Sequence, residues 1–153
     1  MKCLAGFYMT VGLLALTAPA FAEQPLADRY DTKKTVTLTG TVSRMWFAPA
    51  IPFCIVLDTK DKDNKSQQWV VEGNSASTLQ AAGWVFGPPP SGTLNFNEKI
   101  SVTAYLPKKG SKAADDLAAA SPQLAEVLKN ARLAHGIEVT LPNGKKLPFG
   151  AAQ

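Results

Sequence analysis

The feature that most constrains the fold is an alternation of side chains over residues 35–43, TVTLTGTVS. Val36, Leu38 and Val42 alternate there with threonines and a serine. This period of two, with β-branched residues, predicts a strand with one buried face. Gly40 in mid-strand indicates a bulge or a close approach that lets the strand coil sharply.

Five further segments carry the signals of strands, of a hairpin or of a short helix. FCIVLDTK and SQQWVVEG flank the polar turn DKDNK and predict a hairpin of strands two and three, with one alternating set of the second strand facing the core. Ser75 is a potential cap for a short helix that ends at Gly83. The alternation in EKISVTAYL predicts strand four, and Asn143-Gly144 predicts the turn of a closing hairpin.

Residues 107–134 form the longest connection and carry a helical pattern. Ser121 is a potential cap and Pro122 suits the first helical position. The apolar residues that follow at helical spacing are Leu124, Val127, Leu128 and Ala131. They predict a helix over about 122–132, within a helical insertion at about 112–132.

The order of these elements predicts an all-β domain with minor helix over residues 35–150. The arrangement matches an OB-like, five-stranded antiparallel barrel, with the short helix between strands three and four and the insertion between strands four and five. An open antiparallel sandwich is the alternative. Residues 23–34 are polar without periodicity and predict a flexible leader.

The first 22 residues have the layout of a signal peptide. Lys2 precedes an apolar run from Leu4 to Leu16, and Ala20-Phe21-Ala22 forms the cleavage site. Export to the periplasm, or secretion, is therefore expected, and an N-terminal anchor helix is the alternative. Cleavage leaves Cys54 as the one cysteine, so a packed core rather than a disulfide must hold the domain together. No membrane span is expected after cleavage.

The charge pattern gives no sign of a polyanion partner. The chain has a formal net charge of +4, and its basic residues are dispersed in pairs such as Lys33-Lys34 and Lys108-Lys109. Dispersed pairs are typical of solvated charge. No nucleic-acid partner is expected, because export also separates the protein from most nucleic acid.

No catalytic set, metal site or cofactor motif is visible. Cys54 could act as a nucleophile only with His135, the one histidine, as its base. An apolar strand around a free cysteine instead favours core packing. One histidine and one core cysteine cannot supply the imidazole and thiolate ligands that zinc or copper prefers.

The stretch MWFAPAIPFCIV, residues 45–56, combines two prolines with large apolar side chains. Because proline is excluded from central strands, residues 45–53 are interpreted as an apolar loop between strands one and two. Such a loop either overhangs the barrel mouth with Trp46, Phe47 and Phe53, or packs Phe47 and Ile51 on helix 122–132. Trp69 and Glu72, near the end of strand three, complete the candidate binding residues, although core packing and ion pairing are the simpler roles for them.

Three blocks of sequence form a recognisable pattern: VTLTGTV from Val36 to Val42, WVVEGNSASTLQAAGW from Trp69 to Trp84, and VTLPNGKKL from Val139 to Leu147. In this order they resemble a family of small secreted bacterial proteins, domain of unknown function 6152. The resemblance implies no activity. Members usually carry a His-His pair near the mature N-terminus and an Asn-Pro-His after the first strand, whereas this chain has Ala48-Pro49-Ala50 at the second place. A histidine-dependent function of the family is therefore not expected here.

These observations lead to one functional hypothesis with one alternative, and an accessory enzyme is a distant third possibility because no catalytic set is visible. The chain is expected to be an exported, non-enzymatic small binding module. The alternative is a structural or accessory protein that docks on a periplasmic partner through the apolar 45–53 loop.

Overall fold

The computed structural model describes residues 24–48 and 51–152, so the predicted signal peptide lies outside the described residues. Within them the chain forms four short helices and six strands. The helices are α1 (Leu26–Arg29), α2 (Ala76–Ala81), α3 (Ala113–Ala120) and α4 (Pro122–Leu128). The strands are β1 (Tyr30–Ala48), β2 (Ile51–Lys60), β3 (Ser66–Glu72), β4 (Lys99–Pro107), β5 (Arg132–Thr140) and β6 (Lys146–Pro148).

The six strands form one sheet in the order β3-β2-β1-β4-β5-β6, and every neighbouring pair in that order is antiparallel. A parallel pairing of β3 with β5, from Trp69↔Arg132 to Glu72↔His135, joins the two sides of the sheet. The strands are therefore linked in a ring of hydrogen bonds. The prediction of a mainly β domain is confirmed, with six strands rather than five because the second arm of the closing hairpin pairs as β6.

The long first strand makes the ring possible. Its N-terminal half pairs with β4, its C-terminal half pairs with β2, and Thr41 pairs with both Lys99 and Asp58. The close approach predicted at Gly40 is present, since a Cβ atom there would lie 2.6 Å from the Asp58 carbonyl oxygen. Only glycine lets β1 cross β2 this closely.

The prediction of a flexible leader is wrong for the described part of residues 23–34. These residues include α1 and the start of β1. Tyr30 is completely buried, and the Arg29 side chain binds Glu72 of β3. Such long-range anchors are invisible in a polar stretch without periodicity.

Two apolar clusters occupy the two faces of the sheet. The inner cluster fills the ring and includes Ile55 and Leu57, whereas the outer cluster lies beneath α3 and α4 and includes Cys54 and Val56. Strand β2 is thus buried on both faces. The expectation that only one alternating set would face a core is wrong, because the helices cover the other set.

The helical insertion contains two short helices rather than one. Ser121 caps α4 as predicted, since its hydroxyl accepts a hydrogen bond from the Leu124 amide at 3.4 Å. The helix ends at Leu128 rather than near 132, because β5 begins at Arg132 and pairs with β3. None of the helices in the described part of the chain is long and apolar enough to cross a membrane.

Candidate functional site

Most of the stretch that was predicted to be a loop belongs to two antiparallel strands. Residues 45–48 belong to β1 and residues 51–53 to β2, so the prediction of a loop is wrong for these residues, whereas Pro49 and Ala50 lie outside the described residues. The register is irregular between the pairs Trp46↔Cys54 and Ala48↔Ile51, which is typical of a bulge.

 Between these two pairs, the two residues Pro52 and Phe53 of β2 lie opposite the single residue Phe47 of β1. A proline is tolerated there because no ladder hydrogen bond needs its missing N–H.

The bulge sends neighbouring side chains of the hairpin to opposite faces. Trp46 and Ile51 join the outer cluster, which also contains Leu124 of α4. Phe53 joins the inner cluster, and the Phe47 ring stacks on it with centroids 5.6 Å apart. Each of the two predicted placements is therefore correct for one residue. Ile51 packs in the cluster beneath the helices, and Phe47 does not.

The exposed side of the hairpin forms a shallow apolar groove, which we call the aromatic cleft. Its empty volume of about 280 Å³ includes open solvent, so little of it is enclosed. Its lining residues are Met45, Phe47, Phe53, Trp84, Val85, Phe86, Gly87 and Leu94. No lining residue is charged. The rings of Phe47 and Phe86 lie 5.6 Å apart and meet at a tilt of 58°.

Two side chains of the aromatic cleft are unusually exposed for their size. Phe47 is 57% exposed and Val85 is 55% exposed. Phe96 is also 51% exposed, but it does not line the cleft. A contiguous exposed apolar surface is a common mark of an interaction site.

Sequence reasoning included Phe47 and Phe53 in the candidate site but missed Val85 and Phe86. The available signal was the apolar pair immediately before Gly87 and the triple proline, residues 88–90. A rigid loop after two large apolar side chains fixes where those side chains lie. What the sequence did not show is that this loop lies beside the β1–β2 hairpin.

The divided hairpin predicts losses of different size for alanine substitutions on its two faces. Ile51→Ala should lower the free energy of unfolding by about 2–3 kcal/mol, because it leaves a cavity in the outer cluster. Phe47→Ala should change it by less than about 1 kcal/mol, because more than half of that side chain is already in water. Urea denaturation of both variants measures the difference, and equal losses would contradict the division of the hairpin.

A second constellation, the buried polar cluster, consists of Arg29, Tyr30, Glu72 and His135. Glu72 is 2% exposed, and both of its carboxylate oxygens accept hydrogen bonds from the Arg29 guanidinium, at 3.2 and 3.3 Å. The His135 Nδ1 atom lies 3.4 Å from Glu72 Oε1. The Arg29 guanidinium also lies 5.3 Å from the centre of the Tyr30 ring. A carboxylate so deeply buried needs these cationic and polar neighbours.

The opposite side of the imidazole holds the C-terminal segment. His135 Nε2 lies 3.1 Å from the Ala151 carbonyl oxygen, and because a carbonyl only accepts, Nε2 is the donor. The His135 ring also stacks on Tyr105, with centroids 6.4 Å apart. The imidazole is thus fixed between Glu72 and the chain end.

Three buried polar atoms of the cluster make no hydrogen bond of ordinary geometry within the described residues: Arg29 Nε, the Tyr30 hydroxyl and His135 Nδ1. Burial, together with the nearby Glu72 carboxylate, raises the pKa of Tyr30 far above its usual value of 10.0. Burial and Glu72 also raise the pKa of the Cys54 thiol above its usual 9.0. Both groups therefore stay protonated in the folded protein.

The raised pKa of Tyr30 predicts a loss of stability in alkali. Above pH 10 the unfolded chain releases the tyrosine proton and the folded chain retains it, so the stability that is present below pH 10 falls as the pH rises. Because the unfolded chain titrates near pH 10, this one group should account for a loss of about 1.4 kcal/mol in total between pH 9 and 11. Tyr30→Phe should remove that part of the alkaline loss, as measured by urea denaturation over this range, and so make the slope shallower. An unchanged slope would contradict the prediction.

Cys54 and Trp69 are both buried in apolar clusters. Cys54 is completely buried in the outer cluster, which confirms the prediction of core packing. Trp69 is 7% exposed, and the Arg132 guanidinium lies 4.4 Å from the centre of its ring. Among the described residues, no group of three or more His, Cys, Asp or Glu side chains is placed to hold a metal ion.

The profile of a family of unknown function, DUF6152, matches residues 11–115. The chain belongs to this family. The match covers β1 to β4, so the third block of the resemblance, from Val139 to Leu147, lies beyond it. No curated protein and no solved structure matches the chain.

The family match covers the aromatic cleft completely, since its lining runs from Met45 to Leu94. It covers the buried polar cluster only in part, because His135 lies outside the matched residues. The five residues singled out from the sequence do not form one site. Phe47 and Phe53 line the cleft, Trp46 lies in the outer cluster, Glu72 lies in the polar cluster, and Trp69 packs in the inner cluster.

Proposed function

We propose that this protein is a non-enzymatic binding module of the OB type, exported to the periplasm or secreted, which binds an apolar segment of a partner protein in the aromatic cleft. The observation that carries the proposal is the exposure of Phe47 and Val85 side by side with Phe86. Large apolar side chains held in water on a rigid framework lose little entropy when a partner covers them.

The strand connections support the OB assignment. An OB module has three features that this chain shares. Strands β1, β2 and β3 pair antiparallel in succession, α2 lies between β3 and β4, and β3 pairs in parallel with β5. The same pairing of β3 with β5 speaks against an open sandwich, in which two separate sheets face each other. The coiled first strand with its glycine fits a closed sheet.

In OB modules the ligand usually binds on the outer face of β2 and β3. Here Cys54, Val56 and Val70 of that face lie in the outer cluster with Leu117 of α3 and Leu124 of α4. A ligand cannot reach the face while the helices cover it. We therefore place the binding surface on the other side of the β1–β2 hairpin, in the aromatic cleft.

The shape of the cleft favours a protein partner over a small molecule. Pockets for small molecules usually enclose about 300–1,000 Å³ and surround most of the ligand. The aromatic cleft is much smaller and opens to solvent, so it accommodates one or two apolar side chains instead. Since no charged residue lines it, the partner should present aliphatic or aromatic side chains rather than a charged motif.

The surroundings of the reactive groups support a binding role over a catalytic one. The pKa of the Cys54 thiol is raised by burial, whereas a nucleophilic cysteine needs a lowered pKa. His135 is buried between Glu72 and the Ala151 carbonyl. The buried thiol and imidazole therefore pack within the sheet and contact the C-terminal segment.

Site-specific photo-crosslinking in the native host tests the proposal. A photoreactive phenylalanine analogue is placed at residue 47 in the cleft, or at residue 96 as a matched exposed position outside it. We expect one protein to be cross-linked from residue 47 and not from residue 96. The purified partner should then bind Val85→Ser at least about tenfold more weakly than the unchanged protein, and Phe96→Ser equally well.

Cross-linking with the same pattern from both positions would contradict the proposal, as would equal binding by Val85→Ser. If purified protein instead carries a small molecule that Val85→Ser loses, the cleft is a small-ligand site and the partner protein is the wrong occupant. Folding of each variant is checked by urea denaturation, because the test requires an unchanged domain.

A further inference from the structure

Strand β1 has an unpaired edge beside the aromatic cleft. On the side of β4 the ladder ends at the pair Thr41↔Lys99, and Val42 forms its backbone hydrogen bonds with the segment just before β4. Beyond Val42, β2 is the only strand that pairs with β1 within the described residues. We call the side of residues 45–47 that faces away from β2 the free edge.

The hydrogen bonds of β2 show which backbone groups of β1 face the free edge. Phe53 forms backbone hydrogen bonds with the segment that follows β3. Because the backbone groups of successive residues in a strand point to opposite sides, Cys54 faces β1, and its pairing partner Trp46 faces β2. The amides and carbonyls of Met45 and Phe47, on either side of Trp46, therefore point away from β2.

These backbone groups of the free edge are available for pairing. Within the described part of the chain, no hydrogen bond reaches the amide or the carbonyl of Met45 or Phe47 from that side. Two donors and two acceptors thus lie along about 7 Å of strand. An extended chain carries the same groups at the same spacing, so it can pair with this edge as an added strand.

The side chains of the same two residues, Met45 and Phe47, line the aromatic cleft. Side chains of directly opposed residues lie on the same face of a sheet. A strand added along the free edge would therefore place two of its own side chains, at positions i and i+2, over the cleft. This number agrees with the size of the cleft, which accommodates one or two apolar side chains.

The free edge is short and irregular, which limits unspecific pairing. Arg44 is exposed at one end of it, and the register of β1 with β2 shifts beside residues 43 and 47. Charges and bulges of this kind protect strand edges from aggregation. Pairing over so few residues is weak by itself, so stable binding also requires apolar contacts in the cleft.

We propose that the partner binds as an added β-strand on the free edge and places two apolar side chains, spaced i and i+2, in the aromatic cleft. This inference rests on the proposed function, because it specifies how the partner occupies the same site. It commits the partner to an extended segment with alternating apolar residues. A helix in the cleft would leave the backbone groups of the free edge unpaired.

Hydrogen exchange measured by NMR tests the free edge before any partner is known. In the free protein the Trp46 amide should be protected, whereas the Met45 and Phe47 amides should exchange at least about tenfold faster. When the partner captured by cross-linking from residue 47 is added, both fast amides should slow by at least about tenfold. Protection of Met45 equal to that of Trp46 in the free protein would overturn the inference, and so would unchanged exchange in the complex.

A proline at residue 45 tests the pairing through binding. It removes the amide that points to the free edge, and its ring obstructs an added strand, while the bonds between β1 and β2 remain. Met45→Ala, which loses the side chain and keeps the amide, is the matched control. We expect Met45→Pro to bind the purified partner at least about tenfold more weakly than Met45→Ala. Equal binding by both variants would overturn strand addition and leave the proposed partner site in place.

The remaining outcomes separate strand addition from the proposed function. Absence of a specific cross-link from residue 47 would overturn both. If the purified protein forms dimers that Met45→Pro abolishes, a second copy of the chain occupies the free edge, and the inferred partner strand is wrong. Urea denaturation checks the folding of Met45→Pro, and the exchange measurements decide the question if this variant does not fold.

Discussion

Phe149→Ala is expected to lower the free energy of unfolding by about 3–5 kcal/mol, the range for a large aromatic side chain removed from a tight core. Phe149 is completely buried. Its ring centre lies 5.4 Å from that of Trp84 and 5.8 Å from that of Phe53. The substitution therefore removes apolar contacts on several sides and leaves a cavity beneath the aromatic cleft.

The backbone around Phe149 explains why this cavity cannot collapse easily. The Phe149 amide donates to the Ile137 carbonyl and its carbonyl accepts from the Asn74 amide, each at 2.7 Å. These bonds tie the C-terminal segment to β5 and to the end of β3. With the backbone fixed, neighbouring side chains can fill little of the vacated volume.

Two glycines pack closely against the Phe149 ring. A Cβ atom at Gly136 would lie 2.5 Å from Phe149 Cδ1, and one at Gly73 would lie 2.9 Å from Phe149 Cε1. Gly136→Ala should therefore be destabilising in the natural protein and less so when Phe149→Ala is already present. A double-mutant cycle measures this coupling.

Urea denaturation with an unchanged m-value measures the effect of Phe149→Ala. Phe96→Ala is the matched control, because its ring is half exposed and its loss should change stability by about 0.5 kcal/mol or less. A loss below about 1 kcal/mol for Phe149→Ala would mean that the C-terminal segment is not part of the cooperative core.

The strands could be predicted from the sequence because their signals are local. The alternation around Val36 and Leu38, and the turn at Asn143-Gly144, report a buried face and a hairpin without knowledge of the partners. Ser121 was likewise recognisable as a cap because capping involves only the next three residues.

The failures concern features that depend on distant parts of the chain. Prolines at positions 49 and 52 indicated a loop, but a bulge opposite Phe47 allows Pro52 to lie within β2. The polar stretch before Tyr30 showed no periodicity, yet Arg29 is fixed by a carboxylate 43 positions away. Neither the bulge nor this long-range ion pair leaves a periodic signature.

The candidate site was predicted only in part for the same reason. The sequence placed Phe47 and Phe53 near a binding surface, and both line the aromatic cleft. It could not assign Trp46 to the opposite face, since a bulge changes the alternation of side chains. The approach of Val85 and Phe86 to the hairpin depends on the path of a long loop.

Arg29→Met is the second substitution with a large expected effect, a loss of about 3–5 kcal/mol of unfolding free energy. It leaves the Glu72 carboxylate buried without its bidentate partner. The methionine retains much of the apolar stem of the arginine, so the loss reports on charge more than on packing. Urea denaturation near neutral pH measures the loss.

The two partners of this ion pair should not be equivalent. The side chain of Glu72 is 3% exposed, whereas that of Arg29 is 21% exposed. After Glu72→Gln the guanidinium can still reach water, and the glutamine can still accept a hydrogen bond from it. Glu72→Gln should therefore cost clearly less than Arg29→Met, because only the latter isolates a charge in the interior.

The double variant Arg29→Met/Glu72→Gln separates the isolated charge from simple loss of contacts. If the cost of Arg29→Met arises from the uncompensated carboxylate, neutralising Glu72 should restore a large part of the stability, and the double variant should be more stable than Arg29→Met alone. Additive losses would show instead that Arg29 acts mainly through packing on Tyr30, whose ring lies 5.3 Å from the guanidinium. Recovery in the double variant would establish that a buried charge pair, rather than apolar packing alone, anchors the N-terminal segment to β3.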